Sequence, residues 1–106
     1  MKFLVIVTPR RDASVPPGAV AAMLSAQRDW LHERMNDGTV EFVYSFPVGG
    51  GCGVVNVDSH EALNELLLNS PAFIVNDFEV RALADMDTAM GNAVTALERA
   101  AGAVPH

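Results

Sequence analysis

Four segments of the chain have the hydrophobic patterns of β-strands. Residues 2–8 (KFLVIVT) form a continuous apolar run ended by Pro9, which is typical of a central strand covered on both faces. Residues 52–58 are a second apolar segment, and the glycines at 49–51 before it predict the turn of an antiparallel hairpin. The remaining two segments, 39–48 and 76–83, alternate with a period of two. In the first of these, the alternation predicts one face made of Val40, Phe42, Tyr44, Phe46 and Val48.

Three other segments have helical periodicity, at residues 17–36, 59–70 and 87–101. Pro17 suits a first helical turn, and Ser59 and Asp87 are predicted N-caps of the second and third helices. Gly102 is predicted to end the third helix. One face of the first helix is predicted to carry Val20, Met23, Leu24, Gln27, Leu31 and Met35.

The order of these elements is βαββαβ followed by a C-terminal helix. This order predicts an α+β fold of the ferredoxin-like type, with a core over residues 1–84 and an added helix over 87–101 in a single domain of 106 residues. Helices would cover only one face of the four-stranded sheet. Because half of the residues are apolar, we expect a second subunit to cover the other face.

The composition of the chain argues against several classes of function. The formal net charge is −6 and the basic residues are scattered, which argues against binding to nucleic acid. No apolar run is long enough to span a bilayer, so we expect no contact with a membrane. The single cysteine, Cys52, favours a reducing, cytoplasmic location and is interpreted as an inert packing thiol. The histidines lack partners at ligand spacing, so no metal site is predicted.

Residues 53–67 (GVVNVDSHEALNELL) and 70–83 (SPAFIVNDFEVRAL) resemble the muconolactone isomerase-like family, as does FLVIVT at residues 3–8. The resemblance covers residues 1–83 and leaves out the last helix. It implies a dimeric α+β barrel, often assembled into larger oligomers, and a small acidic or lactone-like ligand. It also implies movement of a double bond in a butenolide by proton transfer, without metal or organic cofactor. The family's strand-four glutamate corresponds to Glu79.

Three residues are candidates for catalysis, each with a structural alternative. Tyr44 would polarise a ligand carbonyl, or would be a half-buried strand residue with a wet hydroxyl. Asn56 interrupts the apolar third strand and would orient a ligand oxygen, or would bond neighbouring backbone at a bulge. Glu79 would shuttle a proton, or would belong to a solvated face or an intersubunit ion pair.

Three further residues are candidates for substrate binding. Arg81, on the same strand face as Glu79, would bind a carboxylate. Trp30 and Phe46, together with Met23, would roof an apolar pocket between helix and sheet, or would be plain core. The run GGGCG at residues 49–53 joins two strands, so it is interpreted as a hairpin turn and not as a phosphate loop.

Three functions fit these residues. The first is a small cofactor-independent isomerase or cyclase acting on a lactone-like metabolite by proton transfer. The second is a cofactor-free monooxygenase of electron-rich aromatics, whose barrel shape is similar. The third is a non-catalytic ligand-binding or assembly subunit, motivated by Ile6 and Tyr44 or Ser45 at positions where the family's enzyme carries arginines.

Overall fold

The computed structural model describes residues 1–12 and 14–103. Within these ranges the chain forms four strands and three α-helices, with a 3-10 turn at Phe73–Val75 before the last strand. The elements are β1 (Lys2–Pro9), α1 (Pro17–Asn36), β2 (Val40–Ser45), β3 (Gly51–Asn56), α2 (His60–Leu68), β4 (Asn76–Leu83) and α3 (Met86–Ala103).

The four strands make one antiparallel sheet in the order β2-β3-β1-β4. In this order β1 and β3 are central, and each βαβ unit leaves one strand between its two strands. Val5, in the middle of β1, lies opposite Gly53 of β3 and Val80 of β4. The predicted ferredoxin-like α+β topology is therefore confirmed.

Local capping groups fix where the helices begin and end. Ser59 is the N-cap of α2, because its Oγ accepts a hydrogen bond from Ala62 N at 3.0 Å. At the start of α3, Asp85 accepts from Thr88 N and from Thr88 Oγ1, both at 3.0 Å. The predicted cap at Asp87 is thus wrong by two residues, and Gly102 lies inside the helix instead of ending it.

One face of the sheet, the helix-covered face, carries the hydrophobic core. Its centre is a buried cluster made by Phe3, Val5, Val40, Val55 and Leu63, and around it pack Val7, Val43, Val57, Leu66, Leu67 and Phe78. The cluster joins three strands to α2, so burial of these side chains holds α2 to this side of the sheet.

The opposite surface is the open face, on which cross-strand neighbours form rows. One row runs Phe42, Val54, Leu4, Arg81, and the next runs Tyr44, Cys52, Ile6, Glu79. The register of β2 shifts between Val40 and Phe42, so these two residues point to opposite faces. The predicted common face of Val40, Phe42 and Tyr44 is therefore wrong, because a bulge interrupts the alternation.

The last helix extends beyond this two-layered body. Every residue of α3 is exposed, and its apolar stripe consists of Met86, Met90, Val94 and Leu97. The principal extents of the molecule are 69 × 31 × 26 Å. Among the described residues, no helix combines the length and the apolar character that a membrane span requires.

Candidate functional site

A cavity of about 570 Å³ lies between α1 and the helix-covered face of the sheet. This volume is in the range of sites for small organic molecules. Its walls are predominantly apolar, with side chains that include Val7, Val20, Leu24, Leu31, Val43, Leu67 and Phe78. The cavity is thus suited to a ligand with a largely apolar ring or chain.

Two glycines of β3 form part of the cavity wall. Gly51 and Gly53 alternate onto the helix-covered face, where Gly53 lies between Val5 and Val43. A Cβ atom on Gly53 would lie 2.8 Å from Phe42 O, and one on Gly51 would collide with Tyr44 O. The absence of a Cβ at these glycines lets the backbones of β2 and β3 approach closely in the cavity wall. The hairpin is confirmed, but the sequence interpretation missed this second role, which the alternation of glycines within a strand signals.

Gln27 of α1 contributes a polar group to the cavity wall. Its Oε1 accepts hydrogen bonds from Ser70 Oγ at 2.6 Å and from Ala72 N at 3.1 Å. A backbone N–H can only donate, so the atom that faces it must be the oxygen. The amide orientation is thereby fixed. Among the described residues, Gln27 Nε2 has no hydrogen-bond partner.

Arg10 supplies a cation at the edge of the cavity. Its backbone N donates to Val75 O at 2.8 Å, which anchors the end of β1 beside the 3-10 turn. Its guanidinium lies 3.4 Å from Asp12 and 3.8 Å from Asp77, and all three side chains are exposed. Such exposed pairs are weak, so the guanidinium can exchange these partners for an anionic ligand group.

Trp30 and Phe46, two of the three residues predicted to roof a pocket, line this cavity, whereas Met23 is not among its described lining residues. Trp30 reaches it from α1, whereas Phe46 follows the last residue of β2. The structure therefore places them around one space between helix and sheet. Their contact with a ligand stays a prediction.

Tyr44, Glu79 and Arg81 lie on the open face and do not line the cavity. Tyr44 is 70% exposed. Glu79 Oε1 accepts from Arg81 Nε at 3.1 Å and from Arg81 Nη2 at 2.8 Å. Tyr44 and Glu79 end the same cross-strand row, so three interstrand spacings, about 14 Å, separate their backbones. A single chain does not bring them to one small ligand.

Asn56 lies at the end of β3, beside the irregular part of β2. Its Nδ2 donates to Glu41 Oε1 at 2.9 Å, and Lys2 Nζ lies 2.6 Å from the same oxygen. The hydrogen bond from Lys2, followed by that from Asn56, holds the pKa of Glu41 below its usual value. The Asn56 amide is therefore engaged beside the bulge, and Asn56 is not among the described residues that line the cavity. Its orienting role also stays a prediction.

Acidic and thiol groups are not gathered into a metal centre in the described ranges. Over residues 1–12 and 14–103, no group of three or more His, Cys, Asp or Glu side chains is placed to hold a metal ion.

The chain is similar to known proteins both in its sequence and in its fold. The family model described as muconolactone delta-isomerase matches residues 1–89. A crystal structure of muconolactone isomerase at 3.3 Å resolution superposes with a TM-score of 0.72 at 23% identity, covering 80% of this chain and 90% of that chain. No curated protein matches the sequence.

The solved structure is similar in fold, and most of α3 follows the last residue that the family model matches. The fold and the cavity thus belong to the matched part of the chain. Because that match spans 89 of 106 residues, the chain belongs to the muconolactone delta-isomerase family.

Proposed function

We propose that this protein is an isomerase that binds a small lactone-like metabolite and moves its double bond by proton transfer, without a cofactor. The observation that carries the proposal is the apolar cavity of about 570 Å³ in a member of the muconolactone delta-isomerase family. The other support comes from the polar groups in its wall. A flat ring fits such walls, and a few polar groups suffice to orient it.

Arg10 favours an acidic substituent on this ligand. The guanidinium lies at the cavity edge, and its carboxylate partners among the described residues are exposed. A ligand carboxylate could accept two parallel hydrogen bonds from it, a geometry that a guanidinium matches well. The ring would then lie deeper, between the apolar side chains of α1 and the sheet.

The sequence predicts Glu79 as the proton carrier of this reaction. It predicts that Tyr44 polarises the ligand and that Asn56 orients it. In a single chain these residues belong to the open face or its edge, whereas the cavity lies on the helix-covered face. Proton transfer by Glu79 would therefore require the ligand to bind on the open face. The cavity and the open face are competing locations for the chemistry.

Isotope exchange tests the activity directly. We would incubate the protein with muconolactone in deuterated water and follow the ring by NMR. A shifted double bond with deuterium at the ring carbons is expected. The saturated lactone, which has no double bond to move, is the matched control. An unchanged muconolactone spectrum at high protein concentration would contradict the isomerase proposal.

A second candidate function is a binding subunit without catalysis. It is favoured by the composition of the cavity wall, where the described residues include no Asp, Glu or His. Such a wall can bind a ring but offers no ordinary general base. Saturable binding of the lactone with no deuterium incorporation would favour this function. Oxygen uptake with a polyphenol would instead indicate the monooxygenase.

We also propose that a second copy of the chain covers the open face. Phe42 and Tyr44 are exposed there, in the same cross-strand rows as Leu4 and Ile6, and their aromatic ring centroids are 5.9 Å apart. Contiguous apolar rows of this kind are typical of interaction surfaces. Covering them would also remove Tyr44 from solvent.

A further inference from the structure

Gln27 is a cavity-lining side chain whose donor is both fixed in orientation and unpaired among the described residues. Ser70, which donates to its oxygen, is 5% exposed, and Ala72 is 0% exposed. Both donors precede β4, so they tie the middle of α1 to the corner of the sheet. Two buried donors on a single oxygen hold the amide plane and direct Nε2 away from them.

We infer that Gln27 Nε2 donates a hydrogen bond to the carbonyl oxygen of a cyclic ester bound in the cavity. The class of ligand rests on the proposed function, but the donor itself follows from the geometry. Gln27 is then a binding residue, and Ser70 and Ala72 are positioning residues that act through it.

A fixed donor in an apolar wall also gives selectivity. A ring with no acceptor at the position of the carbonyl leaves the amide unpaired and displaces the water that would otherwise hydrate it, which costs binding free energy. A ring of the same shape with a carbonyl restores the bond. The cavity should therefore distinguish a lactone from the corresponding cyclic ether.

The test uses two ring probes and two variants. The probes are an unsubstituted butenolide and the dihydrofuran with the same ring but no carbonyl. Gln27→Glu keeps the length and an oxygen for Ser70 and Ala72, and it removes the donor at about pH 8, where a carboxylate is ionised. Gln27→Leu removes the whole amide, and thermal unfolding verifies that each variant is folded.

We expect the wild-type protein to bind the butenolide about tenfold more tightly than the dihydrofuran. Both variants should bind the two rings with equal affinity, within about twofold. In a nitrogen-15 spectrum, the side-chain amide signal that disappears in Gln27→Leu should shift with butenolide and not with dihydrofuran.

Equal binding of the two rings by wild type, or an undiminished preference in Gln27→Glu, would overturn the inference. Neither measurement involves turnover. A protein that binds butenolide through Gln27 but incorporates no deuterium keeps this inference and loses the isomerase proposal. If the protein isomerises the lactone but Gln27→Glu still prefers butenolide over dihydrofuran, the isomerase proposal is kept and this inference is lost.

Discussion

The two faces of the sheet differ in their side chains: one carries exposed charged and aromatic groups, and the other borders the cavity. On the open face, charged and aromatic side chains such as Glu79, Arg81 and Tyr44 are exposed. On the helix-covered face, Gly51 and Gly53 belong to the wall of the cavity, and one oriented amide, Gln27, lines it. The residues with conspicuous chemistry and the space for a ligand thus lie on opposite sides. Because successive side chains of a strand point to opposite faces, residues that are adjacent in sequence contribute to different faces.

The largest effect is expected when the cavity is filled from its wall. Val43 lines the cavity and the next residue, Tyr44, points to the open face. Val43→Trp should weaken butenolide binding about a hundredfold, because the indole would occupy the space of the ring. Calorimetric titration measures the dissociation constants.

Tyr44→Trp is the matched control, since it adds the same side chain one residue away on the other face. Its dissociation constant should stay within about twofold of wild type. A large loss in Tyr44→Trp together with none in Val43→Trp would move the ligand to the open face.

The next effect concerns self-association through the open face. Phe42 is 41% exposed and belongs to the row that includes Leu4. Phe42→Arg should weaken association of the chain about tenfold or more, because a second copy would bury an unpaired charge. Sedimentation velocity across a range of concentrations measures this.

Leu68→Arg, at an exposed position of α2, controls for the added charge and should associate like wild type. A wild-type protein that sediments as a monomer at every concentration would refute the covered open face.

A smaller effect is expected from the support behind the cavity wall. Ser70→Ala removes the 2.6 Å hydrogen bond to Gln27 and leaves the bond from Ala72. The free energy of unfolding should fall by about 1 kcal/mol. Urea unfolding measures it, with the exposed Ser25→Ala of α1 as the control. Equal stability of the two variants would mean that Ser70 does not hold the amide.

Glu79→Gln should change the rate of isomerisation little if the substrate binds in the cavity. Glu79 is exposed and hydrogen-bonded by Arg81, and it does not line the cavity. We expect the rate of deuterium incorporation to stay within about threefold of wild type, whereas loss of a general base costs about a hundredfold to ten-thousandfold. A loss of that size would restore Glu79 as the proton carrier.

The smallest effect is the pH dependence of the exposed charge network on the sheet edge. The hydrogen bonds from Lys2 and Asn56 lower the pKa of Glu41 from its usual value of 4.5. Their stabilisation is complete above pH 4.5 and is lost as the pH falls through the lower folded-state pKa. The melting temperatures of wild type and Glu41→Gln should therefore converge in acid. A constant difference would contradict this linkage.

The sequence predicted the fold because its signals are local and repeated. Alternation identified the strands, Ser59 marked the start of α2, and the order of elements determined the topology. Alternation cannot foresee a bulge. The register shift between Val40 and Phe42 puts Tyr44 on the face opposite Val40, although simple alternation puts both on one face.

The candidate site was predicted less well than the fold, because a cavity depends on how residues that are distant in sequence pack together. Trp30 and Phe46 were expected around a pocket and do line it. Gln27 was counted only as part of an apolar helix face, because its two donors lie 43 and 45 residues further along the chain. No local pattern pairs such distant residues.

The exposed α3 makes the stability of this protein uneven. None of its 18 residues is even half-buried, so the helix has nearly the free energy of an isolated peptide, which is marginal at this length. Its amide protons should exchange with solvent through local fraying, whereas those of β1 should exchange only through global unfolding. The radius of gyration of 18.8 Å, against about 13 Å for a compact chain of this size, means that the molecule also diffuses as an elongated particle. Slow amide exchange in α3 at high protein concentration would therefore report that the helix has docked.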